Sequence, residues 1–199
     1  MAISKNDIIE ATIRCTSRLG LPAVTMSTIG KEVGILAQGL YNHFDSKDAI
    51  LKSCFDSCNR QLAGQFAGVT LNPEDDLQTS LKKLWMRYFL FFVNHPGECC
   101  FYRQYRELAV APPPKETEDM TFYSDPAFQH LWTLIDALDE KYDLFASVPK
   151  NMMVYYVRNI TPYLARSFSD DIIPDTPENH VPPAAEKLWQ NCVPAVLSP

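Results

Sequence analysis

The chain has 199 residues, of which 46% are hydrophobic and 21% charged, a composition typical of a folded globular protein and not of a disordered one. No apolar run approaches the roughly 18 residues that a membrane-spanning helix needs, and the opening residues lack the apolar stretch of a signal peptide. We therefore expect a cytoplasmic protein with no membrane partner, whose six cysteines remain thiols.

The net charge of −6 argues against a polyanion as partner, but the charge is unevenly distributed. Residues 1–52 carry six basic and five acidic side chains, whereas the remainder carries 12 basic and 19 acidic ones. Any contact with nucleic acid is therefore expected in the N-terminal quarter of the chain.

The helix signals begin at Ser4, which forms a predicted capping box with Asp7. The apolar stripe of this first helix consists of Ile8, Thr12, Cys15 and Leu19. Gly20 is expected to end the helix in a left-handed conformation.

Three further helices are predicted before Gly68. Thr25 caps a short helix that Gly34 closes, and another short helix covers about residues 37–44. Asp45 or Ser46 caps a long fourth helix. Its inward-facing positions are Ile50, Leu51, Cys54, Phe55, Cys58, Leu62 and Phe66.

The helices after Gly68 are longer, and we expect them to begin at proline. The predicted starts are Asn72-Pro73, Asp125-Pro126 and Val148-Pro149. The acidic residues 74–76 are interpreted as carboxylates that stabilise a helix N-terminus rather than as a metal site. Residues 85–93 are apolar on nearly every side, which predicts a buried central helix. No strand pattern is present, so the predicted fold class is all-α.

The segment 25–47 reads TMSTIGKEVGILAQGLYNHFDSK, which places two short helices on either side of a Gly-Ile-Leu turn. This is the helix-turn-helix arrangement, which presents the N-terminal part of its second helix to the DNA major groove. The motif LYNHFDSK at 40–47, together with Thr25, Ile29-Gly30 and Gly34, resembles the TetR family of bacterial transcriptional regulators. The resemblance covers roughly the first quarter of the chain.

The resemblance implies an N-terminal three-helix DNA-binding domain at residues 1–50, joined by a long helix to a larger helical ligand-binding and dimerisation domain at residues 51–199. It also implies a bacterial, homodimeric, sequence-specific transcriptional regulator. We expect a repressor that binds a double-stranded operator, an inverted repeat, and that an apolar or aromatic small-molecule effector releases.

The resemblance also assigns contact residues by position. Phosphate contacts are expected from Thr25, Tyr41, His43 and Lys47. Base contacts are expected from Ser27, Ala37, Gln38, Gly39 and Asn42. The two amides suit adenine, the alanine methyl suits a thymine methyl, and the glycine lets the backbone approach the DNA.

The chain departs from the family pattern at two positions. Leu36 stands where a serine-like cap is common, which removes a capping bond of about 1 kcal/mol. Gly30 stands where alanine is usual, which costs roughly 0.8–1 kcal/mol in helix propensity. Few Lys or Arg residues lie near these positions, which predicts modest or dimer-dependent affinity for DNA.

The C-terminal region is rich in aromatic residues, which are either core or the wall of a ligand pocket. The predicted pocket residues are Trp85, Tyr88, Phe89, Phe92, Tyr102, Tyr105, Trp132 and Tyr156, with Arg103 and Gln104 as polar tips. The family pairs its subunits through the last two helices, here about residues 150–168 and 184–196, with a kink at Pro162. The predicted dimer contacts are Met152, Tyr156, Ile160, Leu164, Leu188, Trp189 and Cys192.

Two alternatives remain open at this stage. The pairs Cys54/Cys58 and Cys99/Cys100 are either redox-active or, as we favour, buried small hydrophobes. An enzyme or a helical protein-binding adaptor is the alternative function, but the chain carries no phosphate-loop, HExxH, GxSxG or GxGxxG motif. No cofactor and no metal are expected.

Overall fold

The computed structural model describes residues 3–109, 125–146, 150–169 and 181–192. Within these ranges the regular structure consists of nine α-helices and two short 3₁₀ helices, and no strand is present. The prediction of an all-α fold is therefore confirmed. No helix of these ranges is long and apolar enough to span a bilayer.

The helices are numbered along the chain. They are α1 Lys5–Leu19, α2 Met26–Val33, α3 Ala37–Leu40, α4 Lys47–Gly64, α5 Leu77–Asn94, α6 Pro96–Ala109, α7 Gln129–Tyr142, α8 Lys150–Ser169 and α9 Val181–Cys192. The two 3₁₀ helices are Leu21–Ala23 and Pro126–Phe128.

The chain divides into two compact units. The first unit consists of Met1–Gln61 and His95–Ala111, and the second of Leu62–Asn94 and Pro112–Pro199. The first unit thus contains α6 in addition to the N-terminal helices. The predicted functional boundary between residues 50 and 51 remains a prediction.

Helix α1 is organised largely as its sequence predicts. The Asp7 amide donates to Ser4 Oγ at 3.2 Å, and the Ser4 amide donates to Asp7 Oδ2 at 2.7 Å, which confirms the capping box. The stripe is buried as far as Cys15, but Leu19 is 43% exposed, so its assignment to the buried face was wrong. Gly20 has φ 77° and ψ 145°, which is a glycine conformation but not the predicted left-handed helical one.

Several predicted helix ends differ from the observed ones. Helix α5 begins at Leu77, because Asp76 rather than Asn72 provides the cap: the Thr79 amide donates to Asp76 Oδ1 at 2.7 Å. Asn72 instead closes a local turn by accepting from the Glu74 amide at 3.2 Å. Helix α9 begins at Val181, not at residue 184, since its two prolines lie in the first turn, where helices tolerate them. Residues 148–149 and 193–196 lie outside the described ranges.

The core of the second unit forms around α5. Its buried residues include five aromatic ones, Trp85, Tyr88, Phe89, Phe91 and Phe92, which confirms the prediction of a central buried helix. Trp85 Nε1 donates to Thr161 Oγ1 on α8 at 3.1 Å, a buried hydrogen bond. Pro162 lies inside α8, and its kink remains a prediction.

Candidate nucleic-acid interface

The start of α2 is fixed by a reciprocal cap between two threonines. The Thr28 amide donates to Thr25 Oγ1 at 3.2 Å, and the Thr25 amide donates to Thr28 Oγ1 at 2.8 Å. This confirms Thr25 as the cap of the second helix. Thr25 is exposed, so the amino end of α2 is open to an anion such as a DNA phosphate.

The turn between α2 and α3 depends on two glycines with different functions. Gly34 has φ 79° and ψ 26°, the left-handed conformation that closes a helix, as predicted. Gly30 is a site of close approach, because a Cβ there would lie 2.8 Å from the Ile35 carbonyl oxygen and 3.1 Å from the Ala37 nitrogen. Both neighbours are backbone atoms and cannot swing aside. The packing of α2 against the turn therefore requires glycine at position 30, in spite of its low helix propensity.

Helix α3 is shorter than predicted. Regular α-helix covers only Ala37–Leu40, and Leu36 at its N-cap provides no side-chain hydrogen bond. The chain then continues through tight turns, in which the Asn42 amide donates to Gly39 O at 3.3 Å and the His43 amide donates to Leu40 O at 2.9 Å. A missing cap and an internal glycine both disfavour a longer helix, so the predicted extent of 37–44 was too great.

The residues around α3 separate clearly into a buried and an exposed set. Leu40 and Phe44 are buried beneath the turn, and the ammonium group of Lys5 lies 5.2 Å from the centre of the Phe44 ring. The exposed predicted contacts are Ser27, Gln38, Tyr41 and Asn42, while Ala37, His43 and Lys47 are half-buried. Tyr41 is 55% exposed, a high value for a large aromatic side chain.

Gly39 has a structural explanation that the sequence did not suggest. A Cβ at this position would lie 3.2 Å from Ile35 Cδ1, so any side chain here would point toward the turn between α2 and α3. The glycine is therefore accounted for by the packing of α3 on Ile35. Its predicted role in backbone approach to DNA has no separate support from this geometry.

Leu36 is the feature of the interface that the sequence reasoning missed. Its side chain is 82% exposed at the leading end of α3, next to Ala37. From the sequence alone, this residue stands out only by the cap that it lacks. The signal in the sequence is a large apolar residue at a position where a polar cap is common.

Helix α4 begins next to the interface. The Ala49 amide donates to Ser46 Oγ at 3.1 Å, which selects Ser46 over Asp45 as the cap. Lys47 is the first residue of α4, and its half-buried side chain lies at the amino end of the helix. A cation and a helix N-terminus at one place favour binding of an anion.

Ion pairs join α1 to α2. Arg18 Nη2 lies 2.7 Å and Arg14 Nε 3.2 Å from the Glu32 carboxylate. The hydrogen bonds from Arg18 and then Arg14 hold the pKa of Glu32 below its usual range. Both arginines are thus paired within the unit, so they contribute little to a positive surface for DNA.

Helix α6 packs against α1 and the 3₁₀ helix Leu21–Ala23 in the first unit. Gln104 Oε1 accepts from the Leu21 amide at 2.7 Å, and the rings of Tyr102 and Tyr105 lie 5.2 and 4.9 Å from the ring of Phe55. Arg103 pairs with Glu107 on its own helix at 3.1 Å. Residues 102–105 are thus not among those that line the cavity of the second unit described next, and their part in a ligand pocket remains a prediction.

The second unit contains a cavity of about 100 Å³. Of the predicted pocket residues Trp85, Tyr88 and Trp132 line it, whereas Phe89 and Phe92 are buried elsewhere in the core. The side chain of Tyr156 lies outside the described residues. Further apolar side chains of α5, α7 and α8 line the cavity: Leu81, Leu84, Leu131, Ile135, Met153 and Val157. Phe66, Leu144, Phe145 and Arg158 complete the wall.

The candidate dimer residues have different environments. Ile160 is 37% exposed, and Leu164 and Leu188 are half-buried. Trp189 is buried within the unit, with its ring 5.6 Å from that of Trp85, so it presents little surface to a partner. The side chains of the other three candidates, Met152, Tyr156 and Cys192, lie outside the described residues.

The cysteines of α4 are buried in the way that the hydrophobic interpretation predicts. Burial raises the pKa of Cys54 to about 12 and also raises that of Cys58 above its ordinary value. A thiol with such a pKa is not a ready nucleophile. Cys99 is also buried, and Cys100 Sγ accepts from Gln104 Nε2 at 3.0 Å.

Residues 8–54 match the family model described as bacterial regulatory proteins, tetR family. This match contains α1 to α3, the turn at Gly34 and the first part of α4. The resemblance of this helix-turn-helix region to the TetR family is thereby confirmed. The family matched over these residues consists of bacterial regulatory proteins.

Solved structures of regulators, two of them described as TetR-family transcription regulators, share the fold of nearly the whole chain. A putative regulator from Shewanella sp. PV-4 has a TM-score of 0.69 at 19% identity, over 96% of this chain and 97% of its own. A regulator from Marinobacter aquaeolei VT8 has a TM-score of 0.66 at 17% identity, over 94% and 93%. The fatty acid degradation regulator FadR from Bacillus halodurans has a TM-score of 0.63 at 15% identity, over 95% of each chain. No curated protein matches the sequence significantly.

Proposed function

We propose that this TetR-family chain forms a homodimer that represses transcription by binding an inverted-repeat operator, and that a small molecule in the cavity of the second unit releases it. The observation that carries the DNA-binding part is the division of side chains around α3. Ser27, Gln38 and Asn42 are exposed polar side chains, while Leu40 and Phe44 are buried beneath them. Such a polar face on a helix-turn-helix unit suits the edges of bases in the major groove.

The proposed phosphate contacts surround this face. Thr25 and Lys47 lie at the amino ends of α2 and α4, where helix dipoles add to the attraction for a phosphate. Tyr41 and His43 would donate to phosphate oxygens from the turns after α3. These contacts would fix the position of α3 on the duplex without selecting its sequence.

The proposed base contacts begin at the leading end of α3. Gln38 and Asn42 would form paired hydrogen bonds with adenine, Ser27 would add a hydrogen bond from α2, and Ala37 would contact a thymine methyl group. We add Leu36, whose exposed side chain suits a second apolar contact with a thymine methyl group or a deoxyribose. Leu36 would then favour A·T pairs at the edge of each half-site.

A homodimer would supply the affinity for DNA that one copy of the weakly basic helix-turn-helix region, here called the head, lacks. The proposed contacts are on α8 and α9, where Ile160 is exposed and Leu164 and Leu188 are half-buried. A two-fold axis between two copies would present two heads to two half-sites of opposite orientation. The resemblance to the TetR family supports this use of the last two helices.

The experiment that tests this proposal measures operator binding as a function of salt. A duplex selected from a random pool by the full-length protein serves as the operator, and the slope of log K against log salt counts the neutralised phosphates. Lys47→Ala should weaken binding and reduce the magnitude of the slope by about 1 per head. Tyr41→Phe retains the ring and removes only the hydroxyl, so it should weaken binding to all sequences alike.

A matched control distinguishes a local contact from a change in overall charge. Lys83→Ala removes one positive charge from α5 in the second unit and should leave the slope unchanged. Equal effects of the Lys47 and Lys83 substitutions would contradict the assigned phosphate contact. Absence of any salt-dependent DNA binding by the folded protein would favour the adaptor alternative.

A further inference from the structure

We propose that the cavity of the second unit binds a neutral, apolar molecule about the size of a single ring, and that Trp85 transmits its binding to α8 and α9. This inference rests on the proposed ligand-released repressor, because it specifies the ligand and the route of its effect. The chemistry of the cavity wall, the volume of the cavity and the contacts of Trp85 support it.

The wall of the cavity is almost entirely apolar. Aromatic rings come from Trp85, Tyr88 and Trp132, and most of the remaining surface is aliphatic. Arg158 is the one charged residue among those lining the cavity, and it is only 5% exposed. Because so little of the wall is polar, the guanidinium group contributes almost none of the surface that a ligand would touch.

A charged ligand would lose its hydration in this cavity and meet almost no polar surface in return. An unpaired carboxylate or ammonium group is strongly disfavoured in an apolar environment. A neutral molecule loses little hydration and gains dispersion contacts with the rings. The wall therefore selects against ions of either sign, although Arg158 alone would suggest an anion.

The volume limits the size of the ligand. An engineered apolar cavity of about 150 Å³ stays dry and binds benzene. The present cavity, at about 100 Å³, is somewhat smaller. It therefore suits one ring or a short hydrocarbon chain after a small outward adjustment of the wall.

Trp85 connects the cavity to the two C-terminal helices. One part of its side chain lines the cavity, its Nε1 donates to Thr161 on α8 at 3.1 Å, and its ring lies 5.6 Å from Trp189 on α9. A ligand that displaces the indole must also shift this hydrogen bond or this ring contact. The helices affected are those that we propose for subunit pairing, so the displacement would alter the separation of the two DNA-binding heads.

The experiment compares three molecules that share one ring and differ in charge. Toluene is neutral, benzoate is an anion and benzylammonium is a cation. All three tryptophans of the chain line the cavity or contact a residue that does, so their fluorescence reports occupancy directly. Toluene should change the emission of the full-length protein and raise its thermal midpoint. Each ion should bind at least about tenfold more weakly.

A pair of variants tests whether binding occurs in this cavity. Ile135→Phe places extra volume in the wall and should weaken toluene binding at least about tenfold by occupying its space. Leu134→Phe makes a similar change at the neighbouring residue of α7, which does not line the cavity, and should bind toluene as the parent does. Equal binding by both variants, or tighter binding of benzoate than of toluene by the parent, would overturn the ligand assignment.

A second pair tests transmission through Trp85. Trp85→Phe retains an aromatic wall but removes the indole N–H, so toluene should still bind yet no longer release the operator duplex. Trp132→Phe alters the same cavity without removing the bond to Thr161 and should retain release. Release by the Trp85 variant equal to that of the parent would refute the coupling.

The outcomes separate this inference from the proposed function. If toluene binds the parent but never releases DNA, the coupling and the ligand-released repressor are both wrong, while the ligand class stands. If toluene does not bind but DNA binding remains salt-dependent, the ligand assignment fails and the DNA-binding function stands.

Discussion

The two units of this protein are stabilised by different means. The first unit holds its short helices by caps, a left-handed glycine and ion pairs, such as the reciprocal hydrogen bonds of Thr25 with Thr28 and the pairing of Glu32 with two arginines. The second unit holds longer helices by packing aromatic rings around α5 and leaves a cavity beside them. We therefore expect the first unit to need fixed backbone geometry for its proposed contacts with DNA, and the second unit to adjust its volume around the proposed ligand.

The largest effect should come from truncating a packed ring in the second unit. Phe89→Ala removes a fully buried ring that does not line the cavity and should lower the free energy of unfolding by about 3–5 kcal/mol. Phe145→Ala removes a half-buried ring from the cavity wall and should cost less, because that ring already lacks neighbours on one side. Chemical denaturation measures both. Equal losses would mean that the cavity wall is as tightly packed as the core.

In the first unit, Gly30→Ala tests the need for fixed backbone geometry. The added methyl group meets backbone atoms of Ile35 and Ala37, so we expect a loss of about 1–3 kcal/mol in the free energy of unfolding and weaker operator binding. Gly64→Ala is the matched control, since a Cβ there meets nothing within 4 Å and should not destabilise the protein. Helix propensity alone predicts that both substitutions stabilise. A stabilised Gly30→Ala protein would therefore contradict the close approach.

The cap of α2 should have an intermediate effect. Thr25→Ala removes the hydroxyl that accepts from the Thr28 amide and should cost about 1 kcal/mol. Thr25→Ser preserves this hydroxyl and should retain most of the stability. Thermal denaturation compares the two variants, and an alanine variant as stable as the serine one would show that the cap is energetically unimportant.

The smallest effect should be the pH dependence of the Glu32 ion pairs. Because the pKa of Glu32 is lowered in the folded chain, chiefly by Arg18, the ionised carboxylate stabilises the fold above its unfolded pKa of about 4.3. This contribution is lost as the pH falls through the lowered folded value. Glu32→Gln should therefore be less stable than the parent at neutral pH, by no more than about 1 kcal/mol, and the difference should shrink in acid. A difference that is constant with pH would contradict the pairing.

The sequence predicts the first unit well because its information is local. Caps, the turn at Gly34 and the spacing of Leu40 and Phe44 are each encoded within a few residues, and the structure contains them. Gly30 shows where local reasoning fails. Its helix propensity is visible in the sequence, but the 2.8 Å that would separate a Cβ at this position from the Ile35 carbonyl oxygen is not. The predicted length of α3 was too great for a related reason. The residues after Leu40 have a sequence pattern typical of a helix, but in the structure they form tight turns.

The pocket was less predictable because it depends on contacts between distant segments. Trp85, Tyr88 and Trp132 line the cavity as predicted, but aromatic character alone did not distinguish them from Tyr102 and Tyr105, which pack on Phe55 in the other unit. No local rule assigns α6 to one unit or the other. Tertiary packing, and not helix periodicity, decides which of the buried rings line the cavity.

The central claim is that the leading end of α3 reads bases, and the most direct test is the sequence profile that the protein selects from random duplex DNA. Gln38→Ala should select a profile that has lost its preference at one base pair in each of two symmetric half-sites, with the other positions unchanged. Leu36→Ala should weaken a preference for A·T at a neighbouring pair. A folded Gln38→Ala protein that selects the same profile as the parent would contradict base reading by α3.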